Sequence, residues 1–166
     1  MITKTINAMK WIVGVLDGVG VPYQIGGGLA TALYGSGRPV NDIDISISGK
    51  VFPVIVPLVK EYIVAGPKHY LTEKWDCETL SLSYHGQDID LTDADTLLMR
   101  DKGGAVWIRN REIYGRYPDV RMEIDNVSVM LMDPRVLREY KEHLDGEHQE
   151  YDRRFLDGYI ANLRKG

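Results

Sequence analysis

The first part of the chain alternates between helical and strand-like patterns of apolar residues. Apolar side chains recur every three or four positions in residues 1–18, which predicts an amphipathic helix. The segment VPYQI, residues 21–25, is a strand candidate that runs directly into three glycines at 26–28. The following segment, LATALYG at 29–35, contains helix formers and ends at Gly35, so it predicts a second helix.

Polar and apolar residues then alternate strictly in DIDISIS, residues 42–48. This period of two predicts a half-buried strand, with isoleucines on one face and aspartates and serines on the other. Residues 51–64 return to helical spacing, although Pro57 must begin that helix or kink it. Two more strands, joined near residues 85–87, are predicted within TLSLSYHGQDIDL, residues 79–91.

The rest of the chain predicts a β-rich middle and a helical end. Residues 92–100, TDADTLLMR, begin with capping-type residues and predict a short helix. No element is predicted for residues 102–119. A strand pair is expected around the Asp-Asn dipeptide at 125–126, and the Asp-Pro dipeptide at 133–134 is a strong helix start. A last amphipathic helix is predicted over residues 151–163.

This order of elements favours an α/β (α+β) fold in which helices flank a mixed β-sheet. A length of 166 residues predicts one domain over 1–166. Its core is expected over about 1–132, and a C-terminal helix pair over 133–166.

Composition and charge reduce the number of function classes that fit the chain. The net charge of −4 argues against a sequence-independent nucleic-acid binder, because such proteins usually carry a basic stripe. The apolar runs are too short for a membrane span, and the N-terminal pattern differs from a signal peptide. A single cysteine, Cys77, fits a reducing compartment, so a cytoplasmic location is expected. The three tryptophans are expected in the core, although one could line a pocket.

Two pairs of aspartates are the candidate chemistry. Asp42 and Asp44 share one face of their strand, and Asp88 and Asp90 share one face of theirs, because alternate residues of a strand point the same way. If the two strands are neighbours, facing side chains approach to about 5 Å. Carboxylates that close repel one another unless a cation lies between them, and magnesium prefers oxygen ligands of this kind. Taken alone, either pair is more often simply a solvated strand face.

The glycine run supplies the second candidate feature. Gly27 and Gly28 follow a predicted strand and open a predicted helix, where free backbone N–H groups can bind phosphate. The run lacks the spacing of a dinucleotide-binding loop and the lysine of a P-loop. Arg38 lies between the glycines and the acids. It could contact phosphate, pair with Asp42, or lie on the surface.

Together these parts resemble the signature of the nucleotidyltransferase superfamily, which has a polymerase-β-like palm fold. That signature is a glycine pair opening a helix, then an acid-x-acid strand, then a third acid on a later strand. Gly27 and Gly28 match the pair and Asp42 and Asp44 the acid-x-acid. Asp90 best matches the third acid, and Asp88 is the alternative.

The pattern GGxA…YGxxRxxxDID resembles one branch in particular. This branch contains small nucleotidyltransferase-like proteins, toxins of abortive-infection systems, and lincosamide and aminoglycoside nucleotidyltransferases. Lys141 and Asp152 lie where relatives often have a lysine and an acid on paired helices. Three features depart from the pattern. Gly28 replaces a common serine, Val40 stands where relatives often have threonine, and the spacer to Asp42 is longer than in the minimal nucleotidyltransferases paired with toxins.

The resemblance implies transfer of a nucleoside monophosphate from a nucleoside triphosphate to a hydroxyl of a small molecule or protein. It implies Mg²⁺, or Mn²⁺, on Asp42, Asp44 and Asp90, which would be the catalytic residues. Gly27 and Gly28 would bind the triphosphate with Arg38 and Lys141. The alternative is a non-catalytic nucleotide-binding protein or a toxin–antitoxin component on the same fold. A homodimer or a toxin–antitoxin partner is therefore among the expected assemblies.

Overall fold

The computed structural model describes residues 1–165, which form helices on both sides of one mixed β-sheet. The helices are α1 (Thr3–Gly18), α2 (Gly27–Leu33), α3 (Phe52–Val59), α4 (Asn110–Tyr114), α5 (Pro134–Glu142) and α6 (Glu147–Lys165). The strands are β1 (Gln24–Ile25), β2 (Asp42–Ile47), β3 (Ile63–Leu71), β4 (Trp75–Tyr84), β5 (Gln87–Asp93), β6 (Leu98–Arg100), β7 (Trp107–Arg109), β8 (Val120–Ile124) and β9 (Val127–Leu131).

The strands are arranged in the order β7-β6-β4-β5-β2-β1-β9-β8, and β3 pairs with β4 as well. The pairs β2–β5 and β1–β9 are parallel, whereas the other neighbours are antiparallel. The predicted mixed sheet flanked by helices is thereby confirmed. Within residues 1–165, no helix is long and apolar enough to cross a membrane.

Alternation along β2 fixes which face of the sheet is core. Ile43, Ile45 and Ile47 are buried, whereas Asp42 and Asp44 lie on the opposite face and reach solvent. The apolar face packs against a layer that includes α1, whose buried residues recur at helical spacing as predicted. The acidic face is therefore the side of the sheet left available for a site.

The C-terminal helices cover part of the acidic face. Helix α5 begins as predicted, with the Asp133 carboxylate accepting a hydrogen bond from the backbone N–H of Arg135 at 2.8 Å. Helices α5 and α6 pack against each other, and both contact α2. This contact places α5 and α6 beside the glycine turn that begins α2.

One predicted helix is wrong. Residues 92–100 form the end of β5, a turn and the short strand β6. The Asp93 carboxylate accepts hydrogen bonds from the backbone N–H of Gly49, the backbone N–H of Asp95 and the hydroxyl of Thr96. A carboxylate used this way stabilises a turn rather than the first turn of a helix, and β6 then pairs with β4.

The helix predicted over 51–64 is also shorter than expected. Helix α3 ends at Val59, a single tight turn covers 60–62, and Ile63 already belongs to β3. The unassigned stretch 102–119 contains β7 and α4. By contrast, the hairpin around Asp125 and Asn126 is as predicted, and both residues adopt positive φ angles of 50° and 66°.

Candidate active site

The parallel register of β2 and β5 brings the acids together. Asp44 lies directly opposite Asp90, and Asp42 opposite Asp88. Asp42, Asp44 and Asp90 each offer a carboxylate oxygen, and these three oxygens lie within 4.8 Å of one another. Asp88 is exposed and lies outside this cluster. Of the two candidates for the third acid, the structure therefore brings Asp90 to the other two.

The cluster is electrostatically strained. Asp44 reaches solvent at the cleft surface, yet the protein atoms around its carboxyl, together with Asp42 and Asp90, raise its pKa to about 7. Burial also raises the pKa of Asp90, although a hydrogen bond donated by the Ser81 hydroxyl at 2.6 Å opposes that shift. The raised pKa values of Asp44 and Asp90 mean that their charged forms are disfavoured here unless a positive charge compensates them.

The glycine turn lies against the acids. The Gly26 N–H donates to the Asp44 backbone carbonyl at 2.9 Å. Gly27 begins α2 with a φ of +58°, and a Cβ atom at this position would overlap the Asp44 carboxylate. A Cβ on Gly28 would lie 3.1 Å from a terminal nitrogen of Arg38. Glycine is required at position 27 by both conformation and space, and it leaves the backbone accessible beside the carboxylates.

A buried ion cluster supports the other side of the turn. Asp152 of α6 is fully buried; it accepts hydrogen bonds from Arg38 Nε at 2.9 Å and Nη2 at 2.7 Å, and lies 2.9 Å from Lys141 Nζ. Burial lowers the pKa of Lys141, an effect that Asp152 opposes, whereas the pKa of Asp152 lies below its ordinary value because the two cations outweigh its burial. Arg38 is therefore paired with Asp152 rather than with Asp42, the partner considered from the sequence.

Two clefts meet at Asp44. The smaller, of about 220 Å³, is lined by Gly27, Gly28, Arg38, Asp42, Asp44 and Lys141 among others. The larger, of about 740 Å³, includes Asp44 and Asp90. The acid cluster thus lies at the junction of a small cleft that contains the glycines, Arg38 and Lys141 and a roomier cleft that contains none of these residues.

Solved structures with this arrangement of strands and helices are known. No protein-family model matches the sequence, and no curated protein matches it significantly. The chain is similar to a candidate nucleotidyltransferase of Thermotoga maritima, with 20% identity, a TM-score of 0.66, and coverage of 99% of this chain and 94% of that one.

Two further structures share the architecture. The lincosamide antibiotic adenylyltransferase LnuA with lincomycin bound is 12% identical, with a TM-score of 0.59 and coverage of 91% of this chain and 95% of that one. ANT(2")-Ia in complex with adenylyl-2"-tobramycin is 14% identical, with a TM-score of 0.60 and coverage of 98% of each chain.

The chain has the nucleotidyltransferase fold. The resemblance inferred from the glycine pair and the acid-x-acid strand is thus confirmed at the level of fold. The roles of the individual residues stay predictions. In this nucleotidyltransferase fold, Gly27, Gly28, Asp42, Asp44 and Asp90 come from α2, β2 and β5, three elements that are adjacent in space.

The sequence alone does not settle two features of the site. Asp152 was noted only as a match to relatives, and its pairing with both Arg38 and Lys141 depends on α5 and α6 packing beside α2. Trp75 was expected in the core, with a pocket wall as the alternative, and it lines the larger cleft. The sequence signal for a cleft wall is alternation along β4. Cys77 and Thr79 follow Trp75 at intervals of two residues, so the three side chains lie on the same face.

We predict that Asp44→Asn stabilises the metal-free protein. The substitution removes one of three crowded charges, so the melting temperature in EDTA should rise by about 2–4 °C. Differential scanning calorimetry with and without Mg²⁺ measures this, and Mg²⁺ should stabilise the wild type more than the variant. Asp88→Asn is the matched control on the same face; if it behaves like Asp44→Asn, the acids do not act as a cluster.

Gly27→Ala should destabilise the fold by at least about 1–2 kcal/mol, because a Cβ disfavours positive φ and overlaps Asp44. Urea denaturation measures the loss. Gly14→Ala is the control: it lies inside α1 with open space around it and should stabilise by about 0.5–1 kcal/mol. Equal stability of Gly27→Ala and the wild type would contradict the tight contact.

Asp152→Asn should lower the free energy of unfolding by about 3–5 kcal/mol, since it leaves the buried Lys141 and half-buried Arg38 without their anion. The control is Asp157→Asn. Asp157 lies on the same helix as Asp152, but it forms an exposed pair with Arg138 of α5, so its loss should cost below about 1 kcal/mol. Similar losses for the two variants in urea titrations would show that the cluster is not a stabilising network.

Proposed function

We propose that the protein is a metal-dependent nucleotidyltransferase that transfers a nucleoside monophosphate from a nucleoside triphosphate to a hydroxyl group. The observation that carries this proposal is the approach of the Asp42, Asp44 and Asp90 carboxylates to within 4.8 Å of one another, beside a glycine turn that a side chain would fill. The architecture shared with LnuA and ANT(2")-Ia agrees with the reaction.

The donor set fits a divalent cation. Three carboxylates converge, the pKa of Asp44 is raised to about 7, and oxygen ligands are those that Mg²⁺ and Mn²⁺ prefer. Asp42, Asp44 and Asp90 would hold the metal. When bound, the metal would neutralise charge on the triphosphate and lower the pKa of the acceptor hydroxyl.

The smaller cleft suits the triphosphate. Gly27 and Gly28 present backbone beside the carboxylates, and a triphosphate bound there would accept hydrogen bonds from their N–H groups. Arg38 and Lys141 line the same cleft and supply positive charge there, and Asp152 pairs with both and fixes their positions. These cations would orient the leaving pyrophosphate and offset its charge.

The larger cleft suits the acceptor. Asp90 lines this cleft and not the smaller one, whereas Asp44 lines both. The acceptor oxygen would form a bond to the α-phosphorus while the bond from that phosphorus to the bridging oxygen breaks. Pyrophosphate leaves with the electron pair. Asp90, which lines the acceptor cleft, would receive the acceptor proton.

The test is pyrophosphate release from ATP, GTP, CTP or UTP with Mg²⁺ and a set of hydroxyl acceptors. Asp42→Asn should reduce the rate by at least about 100-fold, because the metal site loses a ligand. Asp88→Asn, the control on the same face, should keep most of the activity. Activity that survives Asp42→Asn or persists in EDTA would refute the mechanism.

Triphosphate binding should itself need the metal, since uncompensated carboxylates repel a polyanion. Isothermal titration calorimetry with a non-hydrolysable ATP analogue should show binding in Mg²⁺ and little in EDTA. Metal-dependent binding without turnover on any acceptor would instead favour a nucleotide-binding protein or a toxin–antitoxin component on this fold.

A further inference from the structure

One cross-strand hydrogen bond holds the third acid of the cluster. The Ser81 hydroxyl of β4 donates to Asp90 Oδ1 at 2.6 Å. The two residues lie directly opposite each other in the antiparallel pairing of β4 with β5, so their side chains project from the same face of the sheet. This length is typical of a hydroxyl that donates to a charged carboxylate, and such bonds are strong and directional. The bond therefore restricts rotation of the Asp90 carboxylate.

Charge repulsion acts in the opposite sense. The approach of the three carboxylate oxygens to within 4.8 Å of one another depends on how each carboxylate is turned. Because like charges repel, Asp90 would gain by turning away from Asp42 and Asp44 when no cation is bound. The larger cleft, of about 740 Å³, gives it the space to do so, since Asp90 lines this cleft. The Ser81 hydroxyl lines the same cleft and opposes that rotation.

A second serine and acid on the same two strands provide an internal comparison. Ser83 lies opposite Asp88 in the register that sets Ser81 opposite Asp90. Asp88 is exposed and lies outside the acid cluster, and the part of the chain that the structure describes shows no hydrogen bond between its carboxylate and Ser83. The strand register alone therefore does not produce such a bond. It occurs where the acid belongs to the cluster.

We propose that Ser81 is a positioning residue for the metal site, because its hydroxyl holds the Asp90 carboxylate in the orientation that completes the cluster with Asp42 and Asp44. The inference rests on the proposed function and deepens it by naming a residue that acts through Asp90 and not on the substrate. Hydrogen-bond partners of metal ligands typically contribute about 10- to 100-fold to metal affinity.

The experiment measures the Mn²⁺ affinity of the full chain without nucleotide, since a triphosphate would itself bind the metal. The electron paramagnetic resonance signal of free Mn²⁺ gives the bound fraction. Ser81→Ala should weaken Mn²⁺ binding by about tenfold, because Asp90 is then free to turn away. Ser81→Thr keeps the hydroxyl on a residue that suits a strand, and it should restore most of the affinity. Melting curves in EDTA confirm that each variant is folded.

Ser83→Ala is the matched control, because it removes a hydroxyl from the same face of β4, opposite an acid outside the cluster. It should bind Mn²⁺ as the wild type does. The proposal is overturned if Ser81→Ala binds Mn²⁺ as tightly as the wild type. It is equally overturned if Ser83→Ala weakens binding as much as Ser81→Ala, or if Ser81→Thr restores none of the affinity.

Asp42→Asn separates this inference from the proposed function. If Asp42→Asn loses Mn²⁺ binding and Ser81→Ala keeps it, the metal site stands and the role of Ser81 is refuted. If the wild type binds no Mn²⁺, both are refuted. If Ser81→Ala weakens Mn²⁺ binding but the wild type releases pyrophosphate with no acceptor, the positioning of Asp90 is supported and the transfer reaction is contradicted.

Discussion

The parallel pairing of β2 with β5 is the constraint on which the site depends. Because the register sets Asp44 opposite Asp90, the two carboxylates project from neighbouring strands on the same face. The register is fixed by the other face, where Ile43, Ile45, Ile89 and Leu91 are buried almost completely. A slip of β2 by one residue would place Ile43 and Ile45 on the solvent face and Asp42 and Asp44 in the core. Hydrophobic burial thus holds together charges that repel one another.

Two other parts of the site lie close to these repelling carboxylates: the glycine turn, and the ion cluster of Arg38, Lys141 and Asp152. The glycine turn approaches the Asp44 carboxylate more closely than any side chain would permit. Arg38 and Lys141 line the smaller cleft together with Asp42 and Asp44, and Asp152 pairs with both cations and so sets their positions. The clefts consequently differ in character: one combines glycines with cations, and the other combines aromatic rings with small hydroxyl side chains.

The pattern of residues was sufficient to predict the elements that depend on local backbone preferences. Strict alternation in β2, the Asp-Pro start of α5 and the Asp-Asn hairpin each follow from period or backbone preference, and each lies where predicted. The helix predicted over 92–100 failed because Asp93 stabilises a turn through contacts that include Gly49, 44 positions away. Capping-type residues have the same chemistry in both settings, so the sequence alone does not separate them.

The residues of the candidate site divide in the same way, into those that the sequence indicates and those that only the fold brings together. The acids and glycines are visible because each occurs in a recognisable spacing, whereas the partner of Arg38 lies 114 positions along the chain. Trp75 resembles a core residue because most tryptophans are largely buried. Its alternation with Cys77 and Thr79 points to the polar face of β4, and the packing of α4 and α5 over the sheet makes it a cleft wall.

The most direct test is a crystal soaked with Mn²⁺ and a non-hydrolysable nucleoside triphosphate analogue, with anomalous scattering used to locate the metal. We expect a manganese peak bound by Asp42 and Asp44, with Asp90 at the same or an adjacent ion and the phosphates over Gly27 and Gly28. A metal bound elsewhere, or phosphates bound away from the glycine turn, would contradict it.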